Sequence, residues 1–68
     1  MPDSRPMPSI GPRVHELRVR DGSADWRIIY RIDDNAILIV EVFQKKSQQT
    51  PKRAIDTARQ RLKEYDHG

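Results

Sequence analysis

Residues Asp25–Phe43 read DWRIIYRIDDNAILIVEVF, and this stretch decides the fold. Trp26, Ile28, Tyr30 and Ile32 alternate with Arg27, Ile29 and Arg31. A period of two is the signature of a strand with one side turned to a core. The expected packed side is that of Trp26, Ile28, Tyr30 and Ile32, which leaves Arg27 and Arg31 solvated. Asp33-Asp34-Asn35 follows as a tight turn, since Asp and Asn tolerate left-handed backbone. Ala36–Phe43 (AILIVEVF) is apolar on both sides apart from Glu41. It therefore reads as a strand covered on both faces and central in its sheet.

Upstream, Arg13–Arg20 (RVHELRVR) reads as the first strand. Leu17 and Val19 share one side with His15, and Glu16, Arg18 and Arg20 share the other with Val14. Asp21-Gly22-Ser23 supplies a turn before Asp25. The direct connections make the three strands an antiparallel meander. Downstream, Gln44–Gln49 is a polar, basic loop. Thr50 is placed to cap a helix, Pro51 suits its first position, and nothing breaks the run through Tyr65. Ile55, Ala58, Leu62 and Tyr65 form one apolar stripe. A helix of this length is marginal alone, so it must dock on the sheet. Residues 1–12 hold four prolines (Pro2, Pro6, Pro8, Pro12) and read as an extended arm. The expectation is an α+β domain over residues 13–66: a three-stranded antiparallel meander with a C-terminal helix packed on one face.

The chain has 68 residues, enough for one small domain whose own core is barely sufficient. It has no cysteine, so disulfides and thiolate zinc sites are excluded as staples. His15 and His67 are too far apart and too poorly accompanied to suggest a metal site. A partner chain is the remaining kind of support. The net charge of +3 admits a nucleic-acid partner without requiring one. No apolar run approaches a membrane span, and no signal-peptide core precedes the first prolines. A cytoplasmic, non-membrane protein is expected.

Arg18, Arg20, Arg27 and Arg31 fall on one side of the expected sheet. Any one of them reads as the solvated side of a strand. As a cluster opposed only by Glu16 and Asp25, they read as a phosphate-binding surface, because a guanidinium donates two hydrogen bonds at once and keeps its charge. Lys45 and Lys46 join one end of that surface. His15 titrates near neutrality, yet its phase gives it a structural place on the covered side. Glu41 reads as an ion-pair partner that neutralises the patch. Trp26 and Tyr30 read as core residues before base-stacking ones. No serine lies in a nucleophile motif, and Gly11, Gly22 and Gly68 form no phosphate-cradling loop.

Three segments in order carry a resemblance: His15–Arg18 (HELR), Trp26–Tyr30 (WRIIY) and Phe43–Pro51 (FQKKSQQTP). Together they resemble the RelE/ParE toxin superfamily, and within it the phage-like HigB branch of type II toxin–antitoxin systems. The likeness runs over roughly residues 4–65. It implies a metal-free, cofactor-free mRNA endoribonuclease acting on the ribosome and held inactive by a helix-turn-helix antitoxin. The resemblance also admits a gyrase poison of the ParE kind, or a catalytically silent module that still binds an antitoxin. Carried over by motif, Arg27 would clamp the scissile phosphate. Lys45 and Lys46 match the basic pair after the third strand, with Lys46 nearest the leaving group. Arg18 completes the expected catalytic set, and Arg20, Arg31 and Lys52 would bind RNA. The family pattern begins with a helical hairpin that this sequence lacks, and some relatives carry a tyrosine after the basic loop that is absent from Gln48–Arg53. Without the hairpin, apolar surface around Ile37, Ile39 and Phe43, or around Trp26, is expected to drive self-association or antitoxin binding.

Overall fold

The computed structural model describes residues 4–44 and 50–67. Four antiparallel strands lie in chain order: β1 (Ser4–Pro6), β2 (Val14–Asp21), β3 (Ala24–Ile32) and β4 (Ile37–Gln44). One helix, α1 (Lys52–His67), follows and packs across the sheet. The fold is the expected α+β arrangement, with four strands in place of three. The extra strand comes from the proline-rich arm. Ser4, Arg5 and Pro6 pair with Leu17, Glu16 and His15, a short edge that proline tolerates. Met7 then donates its N–H to the Val14 carbonyl at 2.8 Å and buries its side chain in the core.

The turns follow their residues. Asp21 pairs with Ala24, which leaves Gly22-Ser23 as a two-residue loop, and Gly22 takes φ 62°. A glycine with positive φ at the first loop position is what the right-handed twist of a hairpin asks for. Asp33–Ala36 closes differently, by Asp33 N–H to the Ala36 carbonyl at 2.9 Å, with none of these residues at positive φ. Helix α1 begins one residue later than expected, after Pro51, whose carbonyl accepts from the Ala54 and Ile55 N–H groups. The Thr50 hydroxyl does not cap it; it donates to Glu16 at 2.6 Å.

Ala54, Ala58 and Leu62 are the buried stripe of α1, and the two alanines bring its backbone close to the sheet. Beneath them lie Val14, Ile29 and Val40, with Met7 closing one end and Ile10, Leu38, Phe43 and Ile55 packed around. Tyr65, expected in the stripe, is exposed.

This packing reverses the expected sidedness of the sheet. The covered face is the one that carries Arg27, Ile29 and Arg31, together with Val14 and Glu16. The face of Trp26 and Ile32 is open, with Trp26 36% exposed. His15 also lies on the open face, stacked on Tyr30 with ring centroids 5.6 Å apart. Tyr30 in turn shares a 2.8 Å hydrogen bond with the Ser4 hydroxyl. The physical reason is that one helix covers one face. Ile29 centres that face, while the flanking arginines lay apolar stems over it and find carboxylates for their head groups.

Strand β4 is likewise an edge strand, because a meander leaves its last strand outermost. Tyr30 pairs with Ile39 and Ile29 with Glu41, so Val40 is an unpaired bulge residue. The bulge changes the phase of the strand. Ile37, Ile39 and Val42 are exposed, while Leu38, Val40 and Phe43 pack against the helix-side core.

Candidate phosphate-binding site

The pleat sets Arg18 on β2 directly opposite Arg27 on β3. Like charges facing across a ladder repel, so this pair needs a counter-charge. Glu16, two residues earlier on the same face of β2, supplies it. Its carboxylate is 3% exposed, and Oε1 lies 3.7 Å from Arg27 Nε and 3.1 Å from Arg5 Nη2. Arg5 Nε also donates to Oε1 at 3.1 Å, and Oε2 accepts the Thr50 hydroxyl. Arg5 Nη2 reaches the Thr50 oxygen at 3.2 Å, which closes the network.

A single buried carboxylate therefore ties β1, β2, β3 and the entry to α1 together. Its oxygens are occupied by donors, so Glu16 positions cations; it does not present an open lone pair to a substrate hydroxyl. Arg27 itself is 4% exposed and also donates weakly to the Trp26 carbonyl at 3.4 Å. The expectation that it stands on a solvated face is corrected: it is a buried cation held from below by Glu16. Arg18 is exposed, and among the described residues no carboxylate pairs with it. Lys52, at the start of α1, is also exposed. Lys45 and Lys46 lie outside the described residues. They follow Gln44, which pairs with Trp26 next to Arg27.

The other two arginines of the expected cluster each have a carboxylate partner. Arg20 is paired with Asp25 at 3.4 Å beside the Gly22 turn. Arg31 is at the other end of the sheet, where Nε and Nη2 donate to Asp33 and Nη1 and Nη2 donate to Asp66, each at 3.2 Å or less. These hydrogen bonds raise the guanidinium pKa further and lower that of the Asp66 carboxyl. Arg31 also sits over the Tyr65 ring, 5.7 Å from its centroid. Its donors and charge are spent within the fold, so the expected RNA contact from Arg31 is not brought to the Arg18–Arg27 site. Glu41 pairs with Arg61 of α1 at 3.0 Å and not with the strand arginines, because the bulge turns it toward the helix.

Among the described residues no group of three His, Asp or Glu is placed to hold a metal ion. No described helix is long and apolar enough to cross a membrane. The site is cationic: Arg27, held by Glu16, faces the exposed Arg18 beside the entrance to α1.

The model of a protein family described as phage-derived, Gp49-like matches residues 1–63. The chain belongs to the Gp49-like family. No curated protein and no solved structure matches it. The Gp49-like match spans every strand, the Glu16 network and most of α1, so the site lies wholly inside the family's own region. Arg5 and Thr50 are the members of this network that sequence reasoning missed. Arg5 fell in a segment set aside as an arm, and Thr50 in a capping position. The one usable signal was Glu16, an acidic residue on the strand face that also carries Arg18 and Arg20.

Proposed function

We propose that this Gp49-like protein is the toxin of a type II toxin–antitoxin system, an endoribonuclease that cleaves message on the ribosome. The observation that carries the reading is the Arg18–Arg27 pair anchored on Glu16, at the end of the sheet from which Lys45 and Lys46 depart. In RNA cleavage of this kind the 2′-hydroxyl loses its proton and attacks the adjacent phosphorus. The P–O5′ bond breaks, the 5′ oxygen takes up a proton, and a 2′,3′-cyclic phosphate remains. Two negative oxygens develop on phosphorus, and preorganised cations lower that barrier without a metal. Arg27, fixed by Glu16, would meet the phosphate from the sheet side, and Arg18 would meet it from the solvent side. Lys46 would serve the leaving oxygen, with Lys45, Arg20 and Lys52 along the RNA backbone.

The resemblance to the RelE/ParE superfamily, and to its HigB branch, supports the ribosomal substrate and a helix-turn-helix antitoxin as partner. An antitoxin that silences this site must offer carboxylates to Arg18 and Lys52. A second reading, a non-cleaving antitoxin-binding module, is favoured by one observation: Arg27 is buried and already paired.

The test adds the purified chain to ribosomes translating a defined message and maps new 5′ ends by primer extension. Cuts within A-site codons that vanish with Arg18→Ala are the expected result. A folded chain that makes no cuts yet binds the antitoxin supports the second reading.

A further inference from the structure

We infer that the open face of the sheet is a self-association surface, on which two copies of this chain pack face to face. Val19, Trp26, Ile32, Ile37, Ile39 and Val42 are all exposed there, between 36% and 62%. The ladder makes them one patch: Val19 pairs with Trp26, Ile39 with Tyr30, Val42 with Ile28 and Ile37 with Ile32. By contrast, only Ile29 and Val14 are large side chains buried to the last 2%. More large apolar side chains face outward than are fully enclosed, which is the mark of a domain whose core is completed by another chain.

Three observations choose a second copy as the occupant. First, the six exposed apolar residues form an uncharged centre, with Asp21 only at the Gly22 end of the face and His15 stacked on Tyr30, so the patch matches itself and offers little for a charged partner to pair with. The arginines sit on the opposite, helix-covered side, and face-to-face packing keeps the two positive surfaces apart. Second, pairing through strand edges is discouraged. Edge β1 is three residues long and contains Pro6. On β4 the Val40 carbonyl accepts from Arg61 and the Val42 N–H donates to the Glu41 side chain, at the bulge. Third, the area suffices. Eight-residue strands at about 3.3 Å per residue, in a sheet spaced about 4.8 Å per strand, give a footprint on the order of 400–500 Å² before side-chain relief is counted. Two such faces bury roughly 1,000 Å², the lower bound of a specific interface. Sheets stacked this way lie about 10 Å apart with side chains interdigitated.

The resulting particle carries its two phosphate-binding sites outward on opposite sides. The inference does not depend on what those sites do. Analytical ultracentrifugation of the full chain at tens of micromolar tests it. The expected result is a dimer, whose dissociation constant rises at least about a hundredfold with Ile39→Glu or Val42→Glu, because each change buries facing carboxylates in an apolar seam. Gln60→Glu on the solvent side of α1 leaves the dimer intact. Circular dichroism that matches the parent chain separates loss of association from loss of fold. A folded parent monomer at this concentration overturns the inference, and so does a dimer that survives both glutamates.

Discussion

The two ends of the covered face both bury an arginine, and they use it in different ways. Arg31 lies between Asp33 and Asp66, so two carboxylates hold one guanidinium. Arg27 lies beside Arg18 and shares the Glu16 carboxylate with Arg5, so one carboxylate holds two cations, with a third opposite. The first arrangement is a clamp between the end of α1 and the β3–β4 turn. The second leaves surplus positive charge near the end of β4 that Lys45 and Lys46 follow in sequence. Burial alone does not mark an arginine as structural; the ratio of carboxylates to guanidiniums does.

The largest effect expected from breaking this frame comes from its centre. Ile29→Ala empties one of the two fully enclosed large positions of the core, the other being Val14, and a loss of about 2–5 kcal/mol is expected in urea titrations. Arg31→Ala leaves two carboxylates without their cation, one of them half exposed, and should cost about 2 kcal/mol in the same measurement. Trp26→Ala ranks below Ile29→Ala, at about 1–2 kcal/mol, because the ring keeps a third of its surface in water.

The smallest effect is acid sensitivity. Arg31 holds the Asp66 carboxyl below its ordinary range, so the unfolded chain binds this proton first as pH falls. The contribution is complete above the ordinary carboxylate pKa of about 4 and is lost as pH drops through the lower folded value. Thermal melts between about pH 2 and 6 should therefore show a shallower acid limb for Asp66→Asn than for the parent chain.

The elements were legible in the sequence, and their sides were not. Alternation located β2 and β3, and a continuous apolar run located β4, each to within about a residue at each end, and the cap-and-stripe pattern located α1. Choosing the covered face required knowing where the arginine head groups go. Their partners lie 11 residues away for Arg5 with Glu16 and 35 for Arg31 with Asp66, distances over which no local pattern operates. Ile29 between two arginines looks like an intruder on a polar side until those head groups are paired. The bulge at Val40 hid the phase of β4, since an apolar run carries no mark of where a residue is skipped. Strand β1 was invisible because three residues containing a proline hold no periodicity. Of the candidate site, Arg18 and Arg27 were read correctly as neighbours, and Glu16 as their opposing charge. The anchoring roles of Arg5 and Thr50 belong to tertiary contact alone.

The most direct test of the contrast between the two arginine ends is message cleavage on translating ribosomes by Arg18→Ala and Arg31→Lys, each assayed below its melting temperature. Arg18→Ala should keep the parent's stability and lose most cleavage, while Arg31→Lys should melt earlier and cleave at the parent's rate. Cleavage retained by Arg18→Ala and lost by a folded Arg31→Lys would contradict the assignment of function to the Glu16 end of the sheet.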